Sequence, residues 1–305
     1  MTIDGLSTLL ENASSWAAPL SSKRAAFLGC GDSLAAARPS ESLGHRVLSA
    51  GDVAWGVQAP HGVDVSIGLS WSGRTGATIQ AAKVAKANGQ PVWAITSNPE
   101  SPLARIADQH LHIPVEARSQ AIPTWGFALH SVAILQALDI PANLPAILDA
   151  AQRLERTLEA AELPTDAPAA ITVAGLPDSY ATAEFWSLKL IEATGVAARV
   201  VPLEEIGHVD YFIGPQAHLV LIPLVGSGRE RAARLGAALQ RNGNTVLTVD
   251  LASTEGDLNP HEFGLALSIA GGALAHTAAH SWGRPPFRGG AVDMSAQHIQ
   301  VPASE

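Results

Sequence analysis

The chain has 305 residues, 47% of them apolar and 15% charged, with a formal net charge of −9 and one cysteine. That length is about twice that of a compact domain and carries apolar material for two cores. The acidic balance argues against a nucleic-acid partner, no run of eighteen apolar residues offers a membrane span, and a lone cysteine rules out an intramolecular disulfide. Met1 to Glu11 lack the basic start and long apolar segment of a secretory leader. A soluble, cytoplasmic protein is therefore expected.

In chain order, residues 25–29 read as the first strand and run into the turn Gly29-Cys30-Gly31-Asp32-Ser33, where Cys30 suits packing better than reactivity. Arg38-Pro39-Ser40 should cut short the helix that follows. Residues 63–70 are the next strand, 76–88 a helix stopped by Asn88-Gly89, and 92–96 a strand. His110 and His112 lie two apart in a strand-like segment, a spacing that supports no metal site. Helices are expected over 125–138 and 144–162, then a Pro-rich linker over 163–168. Strands at 171–175, 219–224 and 246–249 alternate with helices at 181–194 and 230–242, the latter stopped by Asn242-Gly243. Beyond the irregular stretch 283–290, the tail is either loose or folded back over a site. Alternating strands and helices predict βαβ units and doubly wound, mostly parallel sheets flanked by helices.

The two halves also resemble each other. Gly31-Asp32-Ser33-Leu34-Ala35-Ala36-Ala37 is echoed by Asp178-Ser179-Tyr180-Ala181-Thr182-Ala183, and Ser72-Gly73-Arg74 by Ser227-Gly228-Arg229. Two matches in the same order predict a duplicated α/β domain, with boundaries at 1–163 and 164–305.

The most chemically specific segment is Ser70-Trp71-Ser72-Gly73-Arg74-Thr75-Gly76-Ala77-Thr78, between a strand and a helix. Unpaired N–H groups at a helix start favour an anion, hydroxyls add donors, and Gly73 lets the backbone approach it. A capped turn without a ligand is the bland alternative. Arg74 either assists an anion or is a solvated charge. Gly29-Cys30-Gly31 is a poor dinucleotide fingerprint, because Leu34 stands where its third glycine belongs.

This loop, with Ala94-Ile95-Thr96-Ser97 and Ser101-Pro102-Leu103-Ala104-Arg105-Ile106-Ala107-Asp108, resembles the sugar isomerase (SIS) domain family, whose pattern is S-x-S-G-x-T, a strand ending in T, then S-x-L-A-x-x-A-D. The likeness covers residues 30–110 well and the second half more loosely. The whole resembles the isomerase half of glucosamine-6-phosphate synthase and stand-alone phosphosugar isomerases. It implies two tandem SIS domains of flavodoxin-like αβα sandwich form. It also implies phosphate held by Ser70, Ser72, Gly73 and Thr75, with Ser33 touching the sugar. The second-half loop Val225-Gly226-Ser227-Gly228-Arg229-Glu230 has lost most hydroxyls and reads as a degenerate copy.

Aldose–ketose isomerisation needs a carboxylate to move a carbon-bound proton and a second group for ring opening. Ser187-Leu188-Lys189-Leu190-Ile191-Glu192 resembles the family's A-L-K-L-K-E, and Glu204-Glu205-Ile206-Gly207-His208 its G-E-L-K-H-G. The resemblance makes Glu192 the base, His208 the ring-opening residue, Glu205 an orienting acid and Lys189 a stabiliser of negative charge. A solvated Glu near a helix end and an ordinary surface His are the bland readings.

Three departures stand against the family pattern. The tail D-x-P-R-N-L-A-K-S-V-T-V-E has no counterpart Lys in residues 293–305, where His298 is the stand-in. No glutaminase half is expected before the first domain, and Pro39 should reshape the sugar-binding edge. The expected activity is that of a cofactor-free, metal-free phosphosugar aldose–ketose isomerase acting on a phosphorylated sugar as a homodimer. An aminosugar-phosphate deaminase or fructosamine-phosphate deglycase is one alternative, a non-catalytic sugar-phosphate sensor another.

Overall fold

The computed structural model describes residues 20, 23–113, 124–214, 217–251, 256 and 258–284. Five short strands form the first sheet: β1 Ala25–Gly29, β2 Arg46–Ser49, β3 Val65–Leu69, β4 Val92–Thr96 and β5 Gln109–His112. All pairs are parallel, in the order β2-β1-β3-β4-β5. The three central strands are buried along their whole length, which is why they read as continuous apolar runs rather than as alternation.

Between the strands lie α1 Asp32–Ala37, α2 Ala50–Ala54, α3 Gly76–Ala87, α4 Pro102–Ile106 and α5 Trp125–Ala137. Pro39 ends α1, and a 3-10 turn over Arg38–Leu43 replaces its continuation. Ala26, Leu28, Leu48, Ala50, Val53 and Ala81 form one apolar cluster, against which the half-buried Cys30 packs. Burial pushes the Cys30 thiol pKa up, so it is a packing group rather than a thiolate. Leu103, fully buried, joins Ile79, Ala82, Ala85, Val92 and Ala94 in a second cluster. Truncating it to alanine should cost about 2–5 kcal/mol.

The chain divides into two compact units, and the main run of the second begins at Pro145. That unit opens with α6 Leu144–Glu159 and holds β6 Ala170–Gly175, α7 Tyr180–Thr194, β7 Ala197–Pro202, α8 Leu203–His208, β8 His218–Leu224, α9 Arg229–Arg241, β9 Thr245–Asp250 and α10 Pro260–Ser281. Its sheet is also parallel, in the order β7-β6-β8-β9. Asn259 caps α10 by accepting from the His261 and Glu262 amides, while the Glu262 carboxylate accepts from the Asn259 amide. The Trp186 ring of α7 lies against Gly271, and its indole N–H donates to the Leu267 carbonyl at 3.0 Å. Helix α10 is buried around most of its girth. Among the described residues, no helix is long and apolar enough to cross a membrane.

Candidate functional site

In a parallel sheet every strand delivers its following turn to the same edge. Connections diverge between β1 and β3, and ligands bind in the crevice that such a divergence opens beyond the strand ends. The two turns bordering it are the ones singled out in the sequence. After β1, Gly31 at φ +53 starts α1 and presents Ser33. After β3, residues 70–75 lead into α3, whose N-cap is Thr75 with extended φ/ψ and no side-chain cap.

This second turn is held from inside. The Ser70 hydroxyl is 2% exposed and lies 3.0 Å from the Thr75 hydroxyl, so it fixes Thr75 from beneath. The Trp71 carbonyl accepts from the Thr96 hydroxyl at 2.9 Å, the Ser97 hydroxyl at 2.9 Å and the Ser97 amide at 3.0 Å. Gly73 adopts φ +64, donates to the Ser70 carbonyl and accepts from the Leu103 amide. A Cβ on Gly73 would fall 2.0 Å from Ser101 Oγ and 3.0 Å from Thr96 Oγ1. The Arg74 amide donates to Ser72 Oγ at 3.3 Å. Ser72, Arg74 and Thr75 are half-buried at the crevice, where Gly73 is buried. The arrangement offers hydroxyls and backbone N–H groups at the start of a twelve-residue helix, which suits an anion.

One neighbour escaped the sequence reading. His130 of α5 is 1% exposed, with Nδ1 3.4 Å from Ser33 Oγ and its ring edge-on to Trp71 at 6.0 Å between centroids. Burial lowers its pKa to about 4, outweighing the opposing pull of the Ile95 carbonyl, so the ring is neutral at physiological pH. A polar residue inside the apolar run of α5 was the available signal. His110 and His112, by contrast, each bond a carbonyl at the end of β4, those of Thr96 and Ser97, and tie the edge strand down.

In the second unit, Lys189 is fully buried on α7, with Nζ 2.7 Å from Glu192 Oε2 and 5.1 Å from the Phe185 ring centroid. The Glu192 side chain is 32% exposed. The carboxylate is thus held by a desolvated ammonium while still reachable from solvent. Glu205 and His208 are exposed on α8, and neighbouring Glu204 pairs with Arg231 at 2.7 Å. The segment after His208 is anchored by Asp210, 1% exposed, which accepts from Thr172 Oγ1 at 2.8 Å and Arg199 at 2.5 Å. Within one chain, β7 stands between the two candidate groups. Glu192 lies in the last turn before the strand and His208 at the end of the helix after it. Six residues of strand span about 20 Å. His298 lies outside the described residues.

Residues 63–138 match the model of the SIS domain. A protein of Aeropyrum pernix, described as uncharacterized, is 37% identical over 62 residues, covering 20% of this chain and 29% of that protein. Three solved structures share the fold over nearly the whole chain. They are glucosamine-6-phosphate deaminase of Thermotoga maritima (TM-score 0.72, 19% identity, 91% of each chain), the C-terminal domain of glucosamine-fructose-6-phosphate aminotransferase of Francisella tularensis (0.71, 14%, 92% of this chain and 95% of that one), and tagatose-6-phosphate ketose/aldose isomerase of Escherichia coli (0.71, 16%, 95% and 89%).

Proposed function

We propose that the chain binds a phosphorylated sugar at the turn 70–75 and interconverts aldose and ketose forms without a cofactor. The observation that carries this reading is the pinned, hydroxyl-bearing turn at the divergence of β1 and β3. Its Ser72 and Thr75 hydroxyls and the α3 amino terminus take the phosphate, Ser70 holds Thr75 in place, and Gly73 keeps the loop closed on Ser101. Ser33, oriented by His130, faces the sugar. The match of residues 63–138 to the SIS domain, and phosphosugar enzymes among the structural relatives, support the same substrate class.

For the chemistry, Glu192 takes the proton beside the carbonyl and returns it to the neighbouring carbon through an enediolate. Lys189, 2.7 Å from Glu192, orients the carboxylate and supplies positive charge for the developing enediolate. His208, with Glu205 beside it, opens the ring. Because β7 separates Glu192 from His208 in one chain, we place them in the shared sites of a homodimer, each copy lending its His208 to the other. The chain is then two tandem SIS domains, and the second provides the base. A deaminase is the second reading, favoured by the likeness to a structure of that name; it uses the same proton transfer and expels an amine.

The test is solvent exchange. Candidate hexose and pentose phosphates are incubated with the protein in deuterated water, and deuterium beside the carbonyl is read by NMR. Incorporation that disappears in Glu192→Gln is the expected result. Ammonia release from aminosugar phosphates selects the deaminase. Tight phosphosugar binding with no exchange leaves only a sensor and overturns the catalytic reading.

A further inference from the structure

The second sheet repeats the divergence of the first, between β6 and β8, and the turns that border it are residues 176–179 and 225–228. Here too a loop with an S-G-R sequence, Ser227-Gly228-Arg229, leads into a long helix, the thirteen-residue α9. By the physics that favours an anion at the first turn, this one should attract a phosphate as well. Its donors are already used. The Asp178 carboxylate reaches across from the turn after β6, and its Oδ2 accepts from the Ser227 amide at 3.1 Å and the Ser227 hydroxyl at 2.8 Å. The loop closes tightly around this oxygen. Gly226 sits at φ +57, and a Cβ there would fall 2.6 Å from Asp178 Oδ2.

A second observation lies beside this turn, on the side away from Ser227. Asp178 and Gly226 line a cavity of roughly 100 Å³ together with Ser179, Phe263 and Leu267. Ser179 is 4% exposed, and its hydroxyl has no hydrogen-bond partner among the described residues. A buried hydroxyl without a partner costs about 1–3 kcal/mol unless something else meets it.

We infer that Asp178 is a specificity-determining residue, an internal anion that occupies the second phosphate position. It excludes phosphate from the second unit and so sets one phosphate per chain. The carboxylate takes the bonds that a phosphate oxygen would take and fills the position where that oxygen would sit. The site keeps every other element needed for an anion: the Ser227 amide and hydroxyl, the orphaned Ser179 hydroxyl and the amino end of α9. What it lacks is room. Asp178 is exposed, on a surface turn, so its replacement leaves the core untouched.

Titration with inorganic phosphate tests this directly, with amide shifts by NMR and stoichiometry by calorimetry. In the wild-type protein the Ser227 and Gly228 amides should not respond to phosphate up to tens of millimolar. Asp178→Ser should open the site, with saturable shifts at those amides and one additional phosphate per chain. Asp178→Asn, which still places an oxygen against Ser227, should remain closed. The inference is overturned if wild-type Ser227 shifts saturate with phosphate, if Asp178→Ser with a native spectrum binds no additional phosphate, or if Asp178→Asn binds as Asp178→Ser does. The readout is independent of the turn 70–75, whose amides report separately. Failure of the first site to bind phosphate counts against the proposed function and leaves the increment at Ser227 to be judged by itself.

Discussion

Replacing Gly73 by alanine places a methyl carbon 2.0 Å from Ser101 Oγ and 2.3 Å from Ser101 Cβ, far inside contact distance, in a residue held at φ +64. Two costs add. The left-handed backbone penalises a Cβ by about 1–2 kcal/mol. Forcing Ser101 aside adds about 1–3 kcal/mol of overpacking, because Ser101 also caps α4 by accepting from the Ala104 amide. The expected loss is about 2–5 kcal/mol, with the turn pushed off the crevice edge. Gly89 is the internal control. It sits at φ +78 with no atom of the described residues within 4 Å of where a Cβ would stand, so Gly89→Ala should lose only the backbone component of about 1–2 kcal/mol. Urea denaturation of both variants gives the stability difference, and calorimetry with a hexose phosphate gives the affinity. Equal losses in the two variants, or unchanged phosphosugar affinity in Gly73→Ala, would refute the reasoning that the loop is closed on Ser101.

Thr75→Val removes a hydroxyl from the crevice and strands the buried Ser70 hydroxyl, and should weaken phosphosugar binding roughly ten- to hundredfold in calorimetry. Acid should destabilise the first unit. The folded state holds His130 near pKa 4 against 6.5 in the unfolded chain, so the unfolded chain takes the proton first. That stabilising share is complete above about pH 6.5 and falls by about 1.4 kcal/mol per pH unit towards pH 4, about 3 kcal/mol in all. His130→Gln should flatten that slope in denaturation curves collected between pH 7 and pH 4. Glu192→Ala withdraws a carboxylate 2.7 Å from a fully buried ammonium and should cost about 3–5 kcal/mol in urea denaturation. Glu192→Gln keeps an oxygen toward Lys189 and should cost less, which makes it the variant for exchange experiments.

Much of the fold was legible because the strands of a covered parallel sheet are apolar throughout and end in turns. Residues 25–29 and 92–96 were found with their observed limits, and the other expected strands differ from them by one or two residues at an end. Of the edge strands, β9 was read as a strand, β5 only as a strand-like segment, and β2 not at all. β2 begins with Arg46 and β5 holds Gln109, His110 and His112, residues tolerated where one side of the ladder meets solvent. β7 alternates exposed and half-buried residues, and Arg199 on it answers to a buried Asp210 that no local pattern reveals. α10 escaped for a different reason. Its small and apolar residues face protein on several sides, so no single stripe stands out.

The candidate site was legible as a set of turns, because glycine and hydroxyl residues between a strand and a helix have few other uses. How those hydroxyls are used was not legible. Ser70 turned inward to Thr75, and Trp71 became an anchor through its carbonyl. His130 and Asp178 act through contacts 97 and 49 residues away, distances at which sequence spacing carries no signal. Lys189 and Glu192 were singled out one by one through the resemblance, and their pairing, three residues apart along a helix, is what the structure adds.

The claim that the turn 70–75 holds the phosphate of a sugar is tested most directly by amide shift mapping with matched ligands. A hexose phosphate and its unphosphorylated hexose are titrated into the wild-type protein, and the amides of Ser72, Gly73, Arg74 and Thr75 are followed. Saturable shifts at these amides with the phosphosugar, and none with the free sugar, are the expected result. Equal response to both ligands, or a phosphosugar response that leaves these four amides unmoved, would contradict it.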